Sequence, residues 1–322
     1  MLKRTTLIAL LLAAPLAAAW QSACAAPWPD RPVTLVVPSS PGGGTDAFAR
    51  VLAQALGESL KQTVLVDNRP GASGNIGAEA VTRAAPDGYT FLVAATASVA
   101  ISPALFAKLA FNVERDLVPV ARGVSSPFVL LASPSLGVGT LAELVGKARR
   151  EPGQIAFGSA GTGTVPYLGV RMLEEASGAR FNHVPYKGLA PAFQDLIGGQ
   201  IAFVFTDLAS GAPHLQRLKP LAVTEPVALL PNVPTFAKAG FADMKADNYF
   251  NVLAPAATPP AIVERMNAAV NDAMRRPDVA AKLDRLGLLP VFETPQQFAL
   301  TLKQERATWA AFIQRNGIRQ SD

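Results

Sequence analysis

The chain has 322 residues, half of them hydrophobic and 16% charged, with 29 Lys and Arg against 24 Asp and Glu for a formal net charge of +5. That balance excludes a disordered chain, and one cysteine with two histidines excludes a disulfide framework, a cysteine zinc site and a His-rich metal centre. No basic run exceeds two residues (Arg149-Arg150, Arg275-Arg276), so the stripe that a nucleic-acid surface needs is missing. The N-terminus reads as an export signal. Lys3 and Arg4 precede the apolar stretch from Leu7 to Ala19, and Ala23-Cys24-Ala25 fits a cleavage site that leaves Ala26 first. The stretch is short for a membrane span of about 20 residues. Lipid attachment at Cys24 is the alternative, but Gln21 stands where a lipoprotein signal has an aliphatic residue.

Strands and helices then alternate. Val33 to Val37 is a continuous apolar run, as in a strand buried on both faces. Phe48, Val51, Leu52, Ala55 and Leu56 form one helical stripe. A strand near 63–67, a helix near 75–84 and a strand from Tyr89 to Val93 follow. Beyond them are strands at 129–132, near 154–158, 182–186 and 200–205, and at 220–224. Helices are expected at 141–150 (opened by the capping box Thr140-x-x-Glu143), 164–176, 190–197 and 209–217. The tail offers one strand near 249–254 and helices near 260–275, 278–286 and 295–316. The last opens with Thr294, Pro295 and Gln297.

This alternation predicts an α/β fold of mostly parallel sheets covered by helices. A helical tail with one strand needs a sheet to cover, so it is expected to return to the first lobe. The expected division is a signal at 1–25, lobe 1 at 26–125 plus 225–322, and lobe 2 at 126–224. The strands at 129–132 and 220–224 would lie at the two crossings. Two lobes joined by two strands leave a cleft, a common ligand site.

Two glycine-rich loops open helices at strand ends. The first is Pro38-Ser39-Ser40-Pro41-Gly42-Gly43-Gly44-Thr45-Asp46; the second is Gly158-Ser159-Ala160-Gly161-Thr162-Gly163-Thr164. Free N–H groups at a helix start favour an anion, although such glycines also serve as plain turns. One loop in each lobe would grip an anion from both sides without Lys or Arg. Gly42-x-Gly44-x-x-Ala47 with Asp67 about 20 residues on also has the outline of a dinucleotide fingerprint. Against it, four residues separate the strand from the first glycine, and export removes the chain from cytoplasmic nucleotide. Asp46 either contacts a ligand or complements the helix dipole. Thr96 and Ser98 offer hydroxyls after a strand, and Asp207 either points into the cleft or caps the next helix. His183 reads as structural and His214 as a surface residue. No Walker lysine, G-x-S-x-G elbow, H-E-x-x-H or Ser-His-Asp set is present, so neither a catalytic nor a metal site is expected and no cofactor is implied.

At these residues the chain resembles a known family. Arg31-Pro32-Val33, Pro41-Gly42-Gly43-Gly44-Thr45-Asp46-x-x-Ala49-Arg50, Asn68-Arg69-Pro70-Gly71-Ala72-x-Gly74 and Pro86-Asp87-Gly88-Tyr89-Thr90 carry the resemblance in the first part. Gly158-Ser159-x-Gly161-x-Gly163-Thr164, His183-Val184-Pro185-Tyr186-Lys187-Gly188, Leu221-Ala222-Val223-Thr224, Pro231-x-Val233-Pro234-Thr235 and Ala254-Pro255 continue it in order. The chain looks like the tripartite tricarboxylate transporter substrate-binding proteins, the Bug family. The resemblance implies a two-lobed type II periplasmic-binding-protein fold with two hinge strands. It implies a periplasmic solute-binding protein that is not an enzyme and delivers a small organic carboxylate to a tripartite tricarboxylate-type permease.

The family's ligand carboxylate is held by the two glycine-rich loops, partly through water. Carried over, that names Pro38, Ser39, Gly42, Gly43, Gly44, Thr45 and Asp46 in the first loop, and Ser159, Gly161, Thr162, Gly163 and Thr164 in the second. The family pattern also brings Thr96, Ser98 and Asp207 to the cleft. Tyr167 stands where relatives commonly have His, Tyr249-Phe250 where Trp is common, and Glu225-Pro226-Val227 where a Lys-Arg turn is usual; Tyr167 would reshape one pocket wall. A monomer is expected, with no nucleic-acid partner. A ligand sensor for a signalling receptor and an exported enzyme on the same scaffold are the alternatives.

Overall fold

The computed structural model describes residues 28–318 apart from 107, 243, 245 and 247. The export signal and Cys24 lie outside the described residues. From Arg31 onward the chain forms one unit built on two sheets.

β1 (Val33–Val37) is apolar on both faces because it lies inside its sheet, parallel to both neighbours. α1 (Gly44–Leu60) buries Phe48, Leu52, Ala55 and Leu56, the stripe visible in the sequence. β2 (Val64–Asn68), α2 (Asn75–Thr82) and β3 (Thr90–Ala95) complete the parallel half. A single π-helical turn at Ala97–Ile101 follows β3. β4 (Leu117–Ser125) ends this run, and β5 (Phe128–Ala132) begins the second sheet two residues later.

The second sheet repeats the scheme with α3 (Leu141–Arg150), β6 (Ala156–Ser159), α4 (Val165–Ser177), β7 (Asn182–Pro185), α5 (Leu189–Ile197), β8 (Phe203–Asp207) and β9 (Lys219–Val223). β10 (Tyr249–Pro255), α6 (Pro260–Arg275), α7 (Pro277–Arg285), β11 (Leu289–Pro290) and α8 (Pro295–Arg315) then return to the first sheet. Spatial order is β11-β4-β10-β3-β1-β2 in one sheet and β7-β6-β8-β5-β9 in the other. β10 and β11 thus lie in the first sheet, while Val227 and Val233 ahead of them pack in the cluster of the second.

Both sheets are covered on two faces. In β5, Val129 and Leu131 join the cluster around Phe193 and Leu196 of α5. Phe128, Leu130 and Ala132 face the cluster of Leu168 and Leu173 of α4. The aromatic stack Phe157–Phe203–Phe181, with centroids 5.6 and 4.9 Å apart, fills that second face. Each such ring, fully buried, contributes about 1.5–3 kcal/mol.

The sheets are mixed rather than mostly parallel. β10 runs antiparallel to β3 and β4, and β5 antiparallel to β8 and β9. The reason is the crossings: β5 and β10 each begin where the chain arrives from the other sheet, so each starts at the edge where its parallel neighbours end. β4 is a further departure, since the sequence predicts no strand there. Its Pro119, Arg122 and Gly123 break the apolar pattern, yet the strand is largely buried. Gly123 is required because a Cβ there would run into the Phe250 carbonyl and lie 2.7 Å from the Phe48 ring. The helix expected at 209–217 shrinks to Leu208–Gly211 and one 3₁₀ turn, Ala212–His214. Pro213 supplies no N–H to continue it. The capping box at Thr294 and Gln297 forms with both bonds, whereas Glu143 reaches past Thr140 to the Gly139 N–H at 2.6 Å.

Candidate functional site: two sheet edges at one cleft

The carboxyl ends of the parallel strands in both sheets lie at the crossings. Tyr249 pairs with Ser125 and Phe250 with Ala95, so β10 starts beside the ends of β4 and β3. Phe128 pairs with Asp207, so β5 starts beside the end of β8. Ligands in open α/β sheets bind outside such carboxyl ends. Short polar contacts join the two crossings: Ser125 Oγ donates to Glu225 Oε1 at 2.6 Å and Phe128 N–H to Thr224 Oγ1 at 2.9 Å. Ser126 N–H donates to the Asn248 carbonyl at 2.7 Å. Glu225, a departure from the family pattern, is therefore one of these crossing contacts.

The first glycine-rich loop connects β1 to α1. Pro38 is buried, Ser39 and Gly43 are half-buried, and Gly42 is exposed with φ +88°. Gly43 occupies the N-cap of α1 and has no side chain to bond, so the helix start carries no side-chain cap. Gly44 and Thr45 follow, both buried. Asp46 is buried too, and its carboxylate is filled from within. It accepts from Gly42 N–H (2.9 Å), Arg50 Nε (3.0 Å) and Asn68 Nδ2 (3.0 Å). Burial alone would raise its pKa, but Arg50, the Gly42 N–H and Asn68 together hold it below the ordinary 3.8. Asn68 also donates to the Ser39 carbonyl at 3.1 Å, tying the end of β2 to the loop.

Asp207 reaches this loop from the other sheet. A Cβ built on Gly44 would stand 2.6 Å from Asp207 Oδ1, 3.0 Å from Phe250 and 3.2 Å from Ala209. Gly44 is thus a point of contact between the sheets, where only glycine fits. Asp207 Oδ1 also accepts from Ser210 N–H at 2.9 Å, so it caps the short helix after β8 while its carboxylate packs against Gly44. Burial pushes its pKa up.

The second loop is held differently. Ser159, wholly buried, lies 2.8 Å from His183 Nε2, and its Oγ accepts from Gly161 N–H at 3.2 Å. Thr164 Oγ1 donates to the Gly161 carbonyl at 2.7 Å and is the N-cap of α4 without a side-chain cap bond. Thr162 is half-buried and Gly163 buried. Tyr167, from the first turn of α4, packs beside His183 and Phe157 with centroids 4.7 and 6.3 Å apart. Burial, and then the Arg171 charge, lower the His183 pKa below 6.5, so its neutral form prevails at neutral pH. A Ser–His pair is therefore present. The charge acting on it is a cation, the wrong sign for a catalytic triad.

Thr96 and Ser98 are both buried after β3. Ser98 Oγ donates to the Ser73 carbonyl at 3.3 Å, joining the loop after β3 to the loop after β2. Thr96 Oγ1 accepts from Tyr249 N–H at 2.9 Å and donates to Glu305 Oε1 at 3.2 Å, which leaves it facing inward. Sequence reasoning missed the group behind it. Arg122 Nη2 donates to Glu305 Oε2 at 3.0 Å, and its guanidinium lies 3.5 Å over the Tyr249 ring, with Arg122 and Glu305 almost wholly buried. Nothing local could signal a pair separated by 183 positions. His183 and Asn68 were also missed as loop braces. Asn68 at least carried a signal, a strand-end Asn before Arg-Pro-Gly. Among the described residues no group of three or more His, Cys, Asp and Glu could hold a metal, and no helix is long and apolar enough to cross a membrane.

Known proteins are similar to this chain in sequence and fold. The BugT protein of Bordetella pertussis is 35% identical over 297 residues, 91% of each chain. An R. palustris protein solved with adipate superposes with a TM-score of 0.86 at 32% identity, covering 91% of this chain and all of that one. MatC of Rhodopseudomonas palustris, solved with bound malate, gives 0.81 at 30% identity over 89% of this chain and all of that one. Residues 48–318 match the tripartite tricarboxylate transporter family receptor, and the chain belongs to that family.

Proposed function

We propose that the chain is an exported solute-binding protein that takes a small organic carboxylate into the cleft and hands it to a tripartite tricarboxylate-type permease. The observation that carries this reading is the pair of uncapped helix starts, α1 behind Gly43 and α4 behind Thr164, each at the carboxyl edge of its own sheet. Their free first-turn N–H groups offer partial positive charge to an anion without a cationic side chain. Pro38, Ser39, Gly42, Gly43, Gly44 and Thr45 form the first wall; Ser159, Gly161, Thr162, Gly163, Thr164 and Tyr167 form the second; Ser98 and Asp207 border them. Asp46 and Thr96 shape the site from behind. The relatives solved with adipate and malate make dicarboxylates the first candidates.

The lobes 26–125 plus 225–322 and 126–224 close about the crossings at Ser125–Phe128, Thr224–Glu225 and Asn248. A carboxylate that touches both walls favours the closed form, which the permease then recognises. Removal of residues 1–25 on export gives the periplasmic form. A thermal-shift screen of chain 26–322 against mono-, di- and tricarboxylates tests the reading. A ligand at about 100 times its Kd adds about 2.7 kcal/mol, roughly a 5–10 °C rise. A flat screen on ligand-free protein would refute it.

A further inference from the structure

We propose that the turn between β2 and α2 is a third ligand-contacting element, and that the Asn75 carboxamide accepts a hydrogen bond from a hydroxyl or ammonium group carried on the bound carboxylate. The inference rests on the carboxylate-binding reading of the cleft and adds to it a ligand class and a residue.

Asn75 opens α2 and is 9% exposed, yet its Oδ1 is buried without a hydrogen-bond partner. Asn at a helix start ordinarily bonds a free backbone N–H. Here the N-cap is Gly74 and no side chain caps the helix. A buried acceptor left unmade is costly. The neighbouring loop holds a second orphan, Ser39 Oγ. The two belong to one knot of three loops. A Cβ on Gly74 would collide with Ser98 Oγ and stand 3.3 Å from the Pro38 carbonyl oxygen, and Asn68 ties β2 to Ser39.

The backbone of the same turn is strained. Gly71, Ala72, Ser73 and Gly74 have φ of 126°, 47°, 56° and 92° in succession, and two of the three non-glycine positive-φ residues among the described residues are Ala72 and Ser73. Strain of this kind persists only where surrounding structure enforces it and gathers at ligand sites. The neighbouring cations are engaged: Arg50 with Asp46 and Arg69 with Asp67. The knot therefore offers neutral polar groups, and its unmet acceptor calls for a donor on the ligand.

The test is isothermal titration of chain 26–322 and of the variants Asn75→Ala and Asn75→Asp, with a thermal midpoint for each. The probes are matched sets: succinate with its 2-hydroxy and 2-amino forms, and likewise glutarate and adipate. The wild type is expected to prefer a substituted acid by about tenfold over its parent. Asn75→Ala should abolish that preference without lowering the midpoint, since it removes an unpaired buried group. Asn75→Asp should keep it, because Asp still accepts. Loss of preference in both variants would overturn the donor assignment. A midpoint lowered by several degrees in Asn75→Ala with preference intact would make Asn75 structural and overturn the proposal. A wild type that binds parent and substituted acids equally overturns this inference alone. A wild type that binds none overturns the carboxylate reading and this inference with it.

Discussion

The two sheets build their cleft edges with different chemistry. The first holds its loops with charge: Asp46 between Arg50 and Asn68, and Glu305 between Arg122 and Thr96. The second holds its loop with neutral groups: Ser159 against His183, and Thr164 against the Gly161 carbonyl. Either solution leaves a helix start without a side-chain cap. The lesson is that an open helix N-terminus needs a brace behind the loop, and the fold does not dictate which kind. The braces do differ in how they fail, and that difference is measurable.

The largest effect is expected from Glu305→Gln. It leaves Arg122 a buried charge without its counter-ion, at a cost of about 3–5 kcal/mol and a melting temperature lower by roughly 10 °C. The double variant Arg122→Met with Glu305→Leu should recover most of that loss. A single variant that melts like wild type would remove the ionic brace from the comparison. Next comes Gly44→Ala, which pushes a methyl group into Asp207 and Phe250. Overpacking at this contact should cost about 2 kcal/mol and weaken ligand binding about thirtyfold. The ligand-free melting temperature should change little if the clash falls mainly on closure.

Asp46→Asn removes the charge and one of the two oxygens that accept from three donors, and should cost about 1–2 kcal/mol at neutral pH. The Asp46 pKa is lowered in the fold, so its contribution is full above the ordinary 3.8 and is lost as pH falls through the folded value. Melting curves of wild type and variant should therefore converge only in that acid range. The smallest effect is that of His183→Gln. The His183 pKa is lowered, so the unfolded chain binds the extra proton first. Wild-type stability should fall as pH drops below about 6.5, and the variant should flatten that slope. If both variants respond over the same pH range, the contrast between the two edges is wrong.

Much of the fold was legible because its signals are local. The stripe of α1, the capping box at Thr294 and the apolar run of β1 each lie within a few residues, and the structure repeats them closely. β4 was illegible because its odd residues answer to distant partners: Arg122 to Glu305, and Gly123 to Phe48 and Phe250. The loops were legible as loops, since glycines before a helical stripe announce themselves. Their interior was not. Asp46 read as a candidate contact, and only the positions of Arg50 and Asn68 show its oxygens engaged. Asn75 gave no signal at all, because an unpartnered oxygen is visible only once everything around it has been placed.

The sequence by itself determined the family, the α/β alternation and the two glycine-rich helix starts, because motif order, periodicity and turn chemistry are properties of neighbouring residues. The tertiary structure alone decided strand direction at the crossings, the meeting of Gly44 with Asp207, and which polar side chains are engaged and which are left over. Those follow from close packing between segments distant in the sequence, where a single Cβ or one missing donor settles the outcome.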